Sequence, residues 1–169
     1  YRPIFQEAKR LLQGRKIVHI RFQMVGNLPS LPSAMAVELR APFLGWGPHA
    51  VDYVRYMSGL DITLAQAFFH QPEHYDVPLS TAYNFTMANG ATFSMTFLSA
   101  SPGQPQGEPY FLFYYEGGYL GVHNYSFIDM NGENIYQAQD FDPWFKQDHV
   151  FVEAIRAGLK LPGPADAWL

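Results

Sequence analysis

No cysteine occurs in the 169 residues, which excludes disulfides, thiol nucleophiles and thiolate-ligated metals. Charge is scarce as well. Asp, Glu, Lys and Arg make up 15% of the chain, against roughly 25% in an average soluble domain. The formal net charge of -4 leaves no basic footprint, so nucleic-acid binding through phosphate contacts is not expected. No apolar run approaches the ~18 residues of a membrane span, and no signal-peptide pattern opens the chain. A protein with no membrane partner and a cytoplasmic setting is the expectation. Two catalytic signatures are missing too. The stretch Gly117-Gly118-Tyr119-Leu120-Gly121 is glycine-rich but joins aromatic strand patterns, whereas a dinucleotide fingerprint leads from a strand through a glycine turn into a helix. There is also no Gly-x-Ser-x-Gly nucleophile elbow.

What the chain has in abundance is aromatic side chains, 17% of all residues. That is enough apolar mass for a large core, and disorder is not the description. The length suits one ordinary domain, residues 1–169. It starts on Tyr1 and stops at Ala167-Trp168-Leu169, and reads as a piece of something longer. Ile4, Phe5, Ala8, Leu11 and Leu12 repeat at helical spacing, with Pro3 before and Gly14 after. Residues 16–24 switch to period two, with Val18, Ile20, Phe22 and Met24 on one face and His19, Arg21 and Gln23 on the other. Residues 34–39 form a weaker strand pattern. Trp46, His49, Ala50, Tyr53, Val54 and Met57 mark a second helix over 46–58, closed by Gly59, with Pro48 placed in its first turn. Strand patterns follow at 62–70, 79–87, 91–100, 110–115, 119–125, 127–130 and 134–137. Asn89-Gly90 and Asn131-Gly132 are hairpin signals. Asp142-Pro143 opens a last helix, whose buried face is marked by Phe145, Val152 and Ile155, and Gly158 ends it.

Consecutive strands with hairpin turns argue an α+β fold: a large, mostly antiparallel open sheet with helices on one face. Three helices cover about one face of such a sheet. The second face, expected to be rich in aromatics, then needs a partner surface, which predicts a homo-oligomer.

The sharpest local feature is Gly45-Trp46-Gly47-Pro48-His49-Ala50-Val51-Asp52. It sets an imidazole and a carboxylate at i and i+3 on one helix start. A carboxylate beside a His can orient it for acid/base work or for hydrogen bonding to hydroxyls. Packing of His49 in the helix face, with Asp52 as a local partner, explains the same spacing. His70 and His74 stand at i+4, but Pro72 lies between them and no third ligand has suitable spacing, so no metal site is expected.

Three blocks carry a resemblance. Residues 1–17, Tyr-Arg-Pro-Ile-Phe-Gln-Glu-Ala-Lys-Arg-Leu-Leu-Gln-Gly-Arg-Lys-Ile, come first. The second is His49-Ala50-Val51-Asp52-Tyr53-Val54-Arg55-Tyr56-Met57-Ser58-Gly59. The third is Phe151-Val152-Glu153-Ala154-Ile155-Arg156-Ala157-Gly158, followed by Pro162 and Asp166-Ala167. In this order they resemble the C-terminal domain of the Gfo/Idh/MocA oxidoreductases, the glucose–fructose oxidoreductase and inositol dehydrogenase family, whose sheet is similar to the C-terminal domain of glyceraldehyde-3-phosphate dehydrogenase. The resemblance implies an N-terminal Rossmann domain in the parent protein, absent from this chain, that binds most of an NAD or NADP cofactor. It implies a sugar, polyol or related hydroxy compound as substrate, and an open sheet face that packs against another subunit. By residue, it implies a catalytic His49, with Arg2, Trp46 and Asp52 as substrate-binding residues, and no cofactor-binding residue in this chain. Many members carry an Asp four residues before the His. Here that position is Gly45, so a non-catalytic binding or assembly module of the same fold is the alternative.

Overall fold

A computed structural model describes residues 2–26, 42–75, 77–101 and 103–159, with backbone alone for residues 42–44, 143 and 147. The weak strand pattern at 34–39 lies outside the described residues, as do Tyr1, Pro162 and Asp166-Ala167. In chain order the elements are α1 (Pro3–Leu12), β1 (Ile17–Val25), α2 (Pro42–Ser58), β2 (Ile62–His70), β3 (Ser80–Met87), β4 (Thr92–Leu98), β5 (Phe111–Tyr115), β6 (Gly118–His123), β7 (Phe127–Met130), β8 (Glu133–Gln137) and α3 (Pro143–Arg156). The strands form one eight-stranded sheet in the order β2-β3-β4-β1-β5-β6-β7-β8. Among the described residues the fold is α+β with a mostly antiparallel open sheet, as the strand pattern predicts. Its one parallel pair joins β1 to β4.

That parallel pair organises the topology. Leaving β1, the chain passes through α2 and comes back along β2, β3 and β4, so β4 lies beside β1 in the same sense. The β5–β8 meander then extends from the other side of β1. α1 and α2 pack against each other and against the sheet. Their buried stripes, Ile4, Phe5, Ala8 and Leu12 from α1 and Ala50, Val54 and Met57 from α2, close over Ile20, Phe22, Phe93, Met95, Phe113 and Leu120. Each large side chain taken fully out of water contributes about 1.5–3 kcal/mol.

The hairpin signals work by two different turns. Asn131 and Gly132 both have positive φ, 54° and 86°, and Met130 pairs with Glu133 across them. This is the two-residue turn whose twist matches the strands. At Asn89-Gly90 only Gly90 is left-handed, at φ 86°. Here Gly90 N donates to Met87 O and Met87 N to Ala91 O, a three-residue loop. The Asn89 amide braces it, donating to Ile17 O and accepting from Ala91 N, both at 3.0 Å.

Four expectations are corrected. Val18 is not on the core face: it is 50% exposed and Ile17 is buried instead. A bulge in the pairing with β5 between Ile17 and His19 reverses which side chain points inward there. Pro48 is not in the first turn of α2, because the helix begins at Pro42 and Pro48 stands inside it. It cannot donate the backbone hydrogen bond of an interior residue. α3 starts as predicted, with Asp142 accepting from Trp144 N and Phe145 N. It ends with Gly158 N bonded to Ile155 O and Leu159 N to Ala154 O, the paired bonds of a left-handed glycine cap. Its expected buried face is nevertheless exposed: Phe145 71%, Val152 41% and Ile155 61%, with Ala154 buried. Periodicity shows which side of a helix is apolar, and α3 has no extensive contact with any described strand or helix. Finally, the aromatics went mainly to the covered face. The second face carries short polar side chains, among them Asn84, Thr86, Thr92, Ser94 and Thr96. Ser94 Oγ donates to Asn84 Oδ1 at 3.1 Å, and His19 Nδ1 lies 2.8 Å from Thr92 Oγ1.

A part-buried pair of ionisable groups also sits in this sheet. His123 Nε2 is 2.6 Å from Asp129 Oδ1, and Asp129 Oδ2 accepts from Gly132 N at 3.0 Å. The His123 ring stacks on Phe127 at 4.1 Å. The pair fits because residue 121 has no side chain. A Cβ there would run into Asp129 Oδ1 and come within 3.2 Å of His123 Nε2. Gly121→Ala is therefore expected to lower stability by about 1–3 kcal/mol, the usual cost of overpacking, as a fall in the urea midpoint at unchanged slope.

His19 gives the fold a pH dependence. Partial burial, then the Arg21 charge, hold its imidazole below the usual 6.5, and a hydrogen bond with the Thr92 backbone opposes them. The folded state then binds fewer protons than the unfolded chain just below pH 6.5, so this contribution is full above that value and is lost as pH falls. His19→Gln should flatten the decline in stability on the acid side of pH 6.5, and an unchanged slope of urea midpoint against pH would contradict it.

Candidate functional site

Four separate stretches of chain meet at one end of the sheet. β1 arrives with Phe22 and Met24, and β5 departs with Tyr110 and Phe111. The β6–β7 turn brings Asn124 and Tyr125, and α2 brings Trp46, Ala50 and Tyr53. Together they line a small, mainly aromatic recess. The turn holds its shape through Ser126 N bonding to His123 O at 3.0 Å. Asn124 sits at φ 54°, a left-handed conformation that Asn tolerates better than most residues.

His49 stands at the rim. Its ring is exposed and lies between Trp46 and Tyr53 on the same helix, with centroids 5.9 Å and 6.1 Å away. The spacings i-3 and i+4 produce both contacts directly, edge-on to Trp46 and stacked on Tyr53. Tyr53 in turn stacks on Phe5 of α1 at 4.3 Å and meets Phe111 edge-on at 6.1 Å. The imidazole thus meets Trp46 edge-on and stacks on Tyr53, whose own ring is anchored in the core.

Arg2 precedes α1, at the same end. Its guanidinium lies 4.3 Å above the Tyr125 ring, and Phe5 meets Tyr125 edge-on at 5.9 Å. No carboxylate pairs with Arg2 among the described residues. A guanidinium over a ring gains from the ring's negative face and keeps its outward N–H groups for a ligand. Asp52, one turn beyond His49, acts on Tyr53. Burial raises the Tyr53 phenol, the Arg2 charge lowers it and the Asp52 charge raises it again. Tyr125 is raised by burial first and then by Tyr53, against Arg2. Both phenols stay protonated near neutral pH and can donate a hydrogen bond to a ligand oxygen.

The four expected site residues therefore fall into two groups. Trp46 lines the recess, while His49 and Arg2 do not line it but pack against rings that do, His49 on Trp46 and Tyr53 and Arg2 on Tyr125. Asp52 lies on the same helix and contributes its charge to Tyr53. Tyr53, Tyr110 and Tyr125 belong to the site but were not singled out by spacing. Tyr53 is visible in retrospect as the i+4 neighbour of His49. Tyr110 and Tyr125 reach the recess only through sheet order. His70 ends β2 and so is not helical, which removes its i+4 relation to His74. Among the described residues no three His, Asp or Glu side chains converge as a metal site would require, and no helix is long and apolar enough to cross a membrane.

No family model matches the chain, and no curated protein does. Solved structures do. An oxidoreductase from Thermotoga maritima is similar over 98% of this chain at TM-score 0.79 and 17% identity, with 53% of that chain covered. A D-galactose-1-dehydrogenase from Rhizobium etli is similar over 94% at TM-score 0.75 and 17% identity, covering 51% of its own length. A myo-inositol 2-dehydrogenase from Lactobacillus plantarum is similar over 99% at TM-score 0.67 and 16% identity, covering 56%. The chain spans about half the length of the solved structures it matches. Its fold is that of the C-terminal domain of Gfo/Idh/MocA-type oxidoreductases.

The electrostatics of the recess can be tested directly. Because the Arg2 charge lowers both phenols, Arg2→Gln should move the titrations of Tyr53 and Tyr125 upward, read by NMR of ring-labelled tyrosine. Downward movement of either would contradict this placement of the charge.

Proposed function

We propose that this chain is the substrate-binding and oligomerisation domain of an NAD(P)-dependent oxidoreductase that acts on a sugar, a polyol or a related hydroxy compound. The observation that carries the reading is the aromatic recess at one end of this particular sheet, lined by Trp46, Tyr53 and Tyr125, with His49 and Arg2 packed against those rings. Aromatic walls suit the apolar faces of a sugar ring, and the few directed polar groups fix its orientation.

The one glycine-rich stretch, residues 117–121, does not have the form of a dinucleotide turn. It is the turn of the β5–β6 hairpin and the start of β6, so it leads into a strand and offers a pyrophosphate no helix N-terminus. NAD or NADP would then be held by a further domain of the parent protein, and this chain supplies substrate binding and proton handling. Trp46 walls the substrate. Arg2 and the Tyr53 and Tyr125 hydroxyls hydrogen-bond its oxygens. His49, at the solvent-exposed rim, accepts the proton of the reacting hydroxyl and passes it to water. Asp52 acts from one turn away through Tyr53. The second face of the sheet, with Tyr114 39% exposed among short polar side chains, is the surface proposed to meet another subunit.

A second reading rests on Gly45. The turn before His49 offers a glycine where a carboxylate would orient the imidazole, which suits a module that binds without turning over. Variants of the full-length protein separate the two. His49→Ala should lower kcat/KM by about 10²–10⁴, the usual contribution of a general base, with native circular dichroism. Hydride transfer at an unchanged rate would remove His49 from the mechanism and favour the binding module.

A further inference from the structure

The two edges of the sheet are built differently. β8 is five residues long and opens on Glu133. β2 is nine residues long, Ile-Thr-Leu-Ala-Gln-Ala-Phe-Phe-His, with no Pro and no Lys, Arg, Asp or Glu. Strands that end a sheet in solution are normally short, charged, interrupted by Pro or bulged out of line. The bulge in β2 falls between Ile62 and Leu64, and residues 64–70 then run in unbroken register with residues 80–86 of β3. Side chains stand free on both faces: Leu64 is 65% exposed, Phe68 55% and Phe69 65%. Among the described residues, the backbone groups of β2 that point away from β3 have no neighbouring strand.

The strand's own sequence identifies what fits it. Around Gln66, the run Leu64-Ala65-Gln66-Ala67-Phe68 reads large, small, amide, small, large in either direction. A two-fold axis through Gln66, perpendicular to the sheet, sets Leu64 opposite the partner's Phe68 and Ala65 opposite the partner's Ala67. Gln66 meets the partner's Gln66. Large apolar side chains meet on the second face of the sheet, small ones meet on the other, and the two amides can bond each other at the axis. No like charges are brought together, and a closed two-fold contact leaves no further sticky edge.

We propose that β2 pairs antiparallel with β2 of a second copy of this chain, with the axis at Gln66, so that the two sheets run into one. This contact is separate from the face-to-face contact proposed above and does not depend on the role of His49.

Charge placement tests it. Leu64→Glu, Phe68→Lys and the double variant would be made in the intact chain, and mass followed against concentration by sedimentation. All these positions are exposed, and circular dichroism reports whether each variant keeps its fold. The wild type should associate. Each single variant should lose one association step, because a lone charge then faces an apolar side chain across the axis. The double variant should regain that step, since Glu at 64 then faces Lys at 68 of the partner twice. Hydrogen exchange of the β2 amides should slow with concentration in the wild type. The proposal is overturned if the wild type stays monomeric, including through protection of β2 by any residue outside the described ones, the strand pattern at 34–39 among them. It is also overturned if the single variants assemble normally, or if the double variant stays at the mass of the singles. The last result would mean that Leu64 and Phe68 serve a contact between sheet faces.

Discussion

The parallel pairing of β1 with β4 is the constraint on which the rest depends. It joins two strands far apart in sequence, with a helix and a hairpin between them. Closing so long a loop is unfavourable until the core rewards it. That reward comes from both sides of β1. Ile20 and Phe22 face the helices, with Phe93 and Met95 beside them on β4 and Phe111 and Phe113 on β5. Phe22 illustrates the arrangement, with ring centroids 5.5 Å from Phe97 and 4.9 Å from Phe111. A change that loosens β1 would loosen both halves of the sheet at once.

The same strand places the recess. Its last residues lie beside Tyr110 and Phe111, because β5 begins where β1 ends. α1 and α2 then set Phe5 and Tyr53 face to face, which fixes the helix that carries His49 and Trp46. The imidazole is thus oriented by aromatic stacking that reaches into the core. This is a different support from a carboxylate one turn earlier, and it gives Gly45 a physical context: neighbouring rings already limit where His49 can point.

Much of this was legible in the sequence, for local reasons. α1, the two Asn-Gly turns and both ends of α3 follow from residue chemistry within a few positions, and the structure has them where that chemistry points. Val18 was misplaced because its orientation depends on a bulge formed with β5, about a hundred residues away. The exposed face of α3 was misread because a sequence shows where apolar residues lie and not what lies opposite them. At the site, Trp46 and His49 were visible as one helix stripe. Tyr110, Tyr125 and the part-buried His123–Asp129 pair were not, because sheet order alone brings them to their neighbours.

The bulge at the start of β1 has a consequence for how such a domain changes over evolutionary time. It absorbs one extra residue between α1 and the body of the strand without passing a shift along the ladder. Residues 19–25 keep strict register with β4 whatever happens before them. The connection from α1 to β1 can therefore drift in length while the far end of β1, and the recess built on it, stays in place. A fold that buffers insertions at the start of its central strand can vary there without its binding end being redesigned.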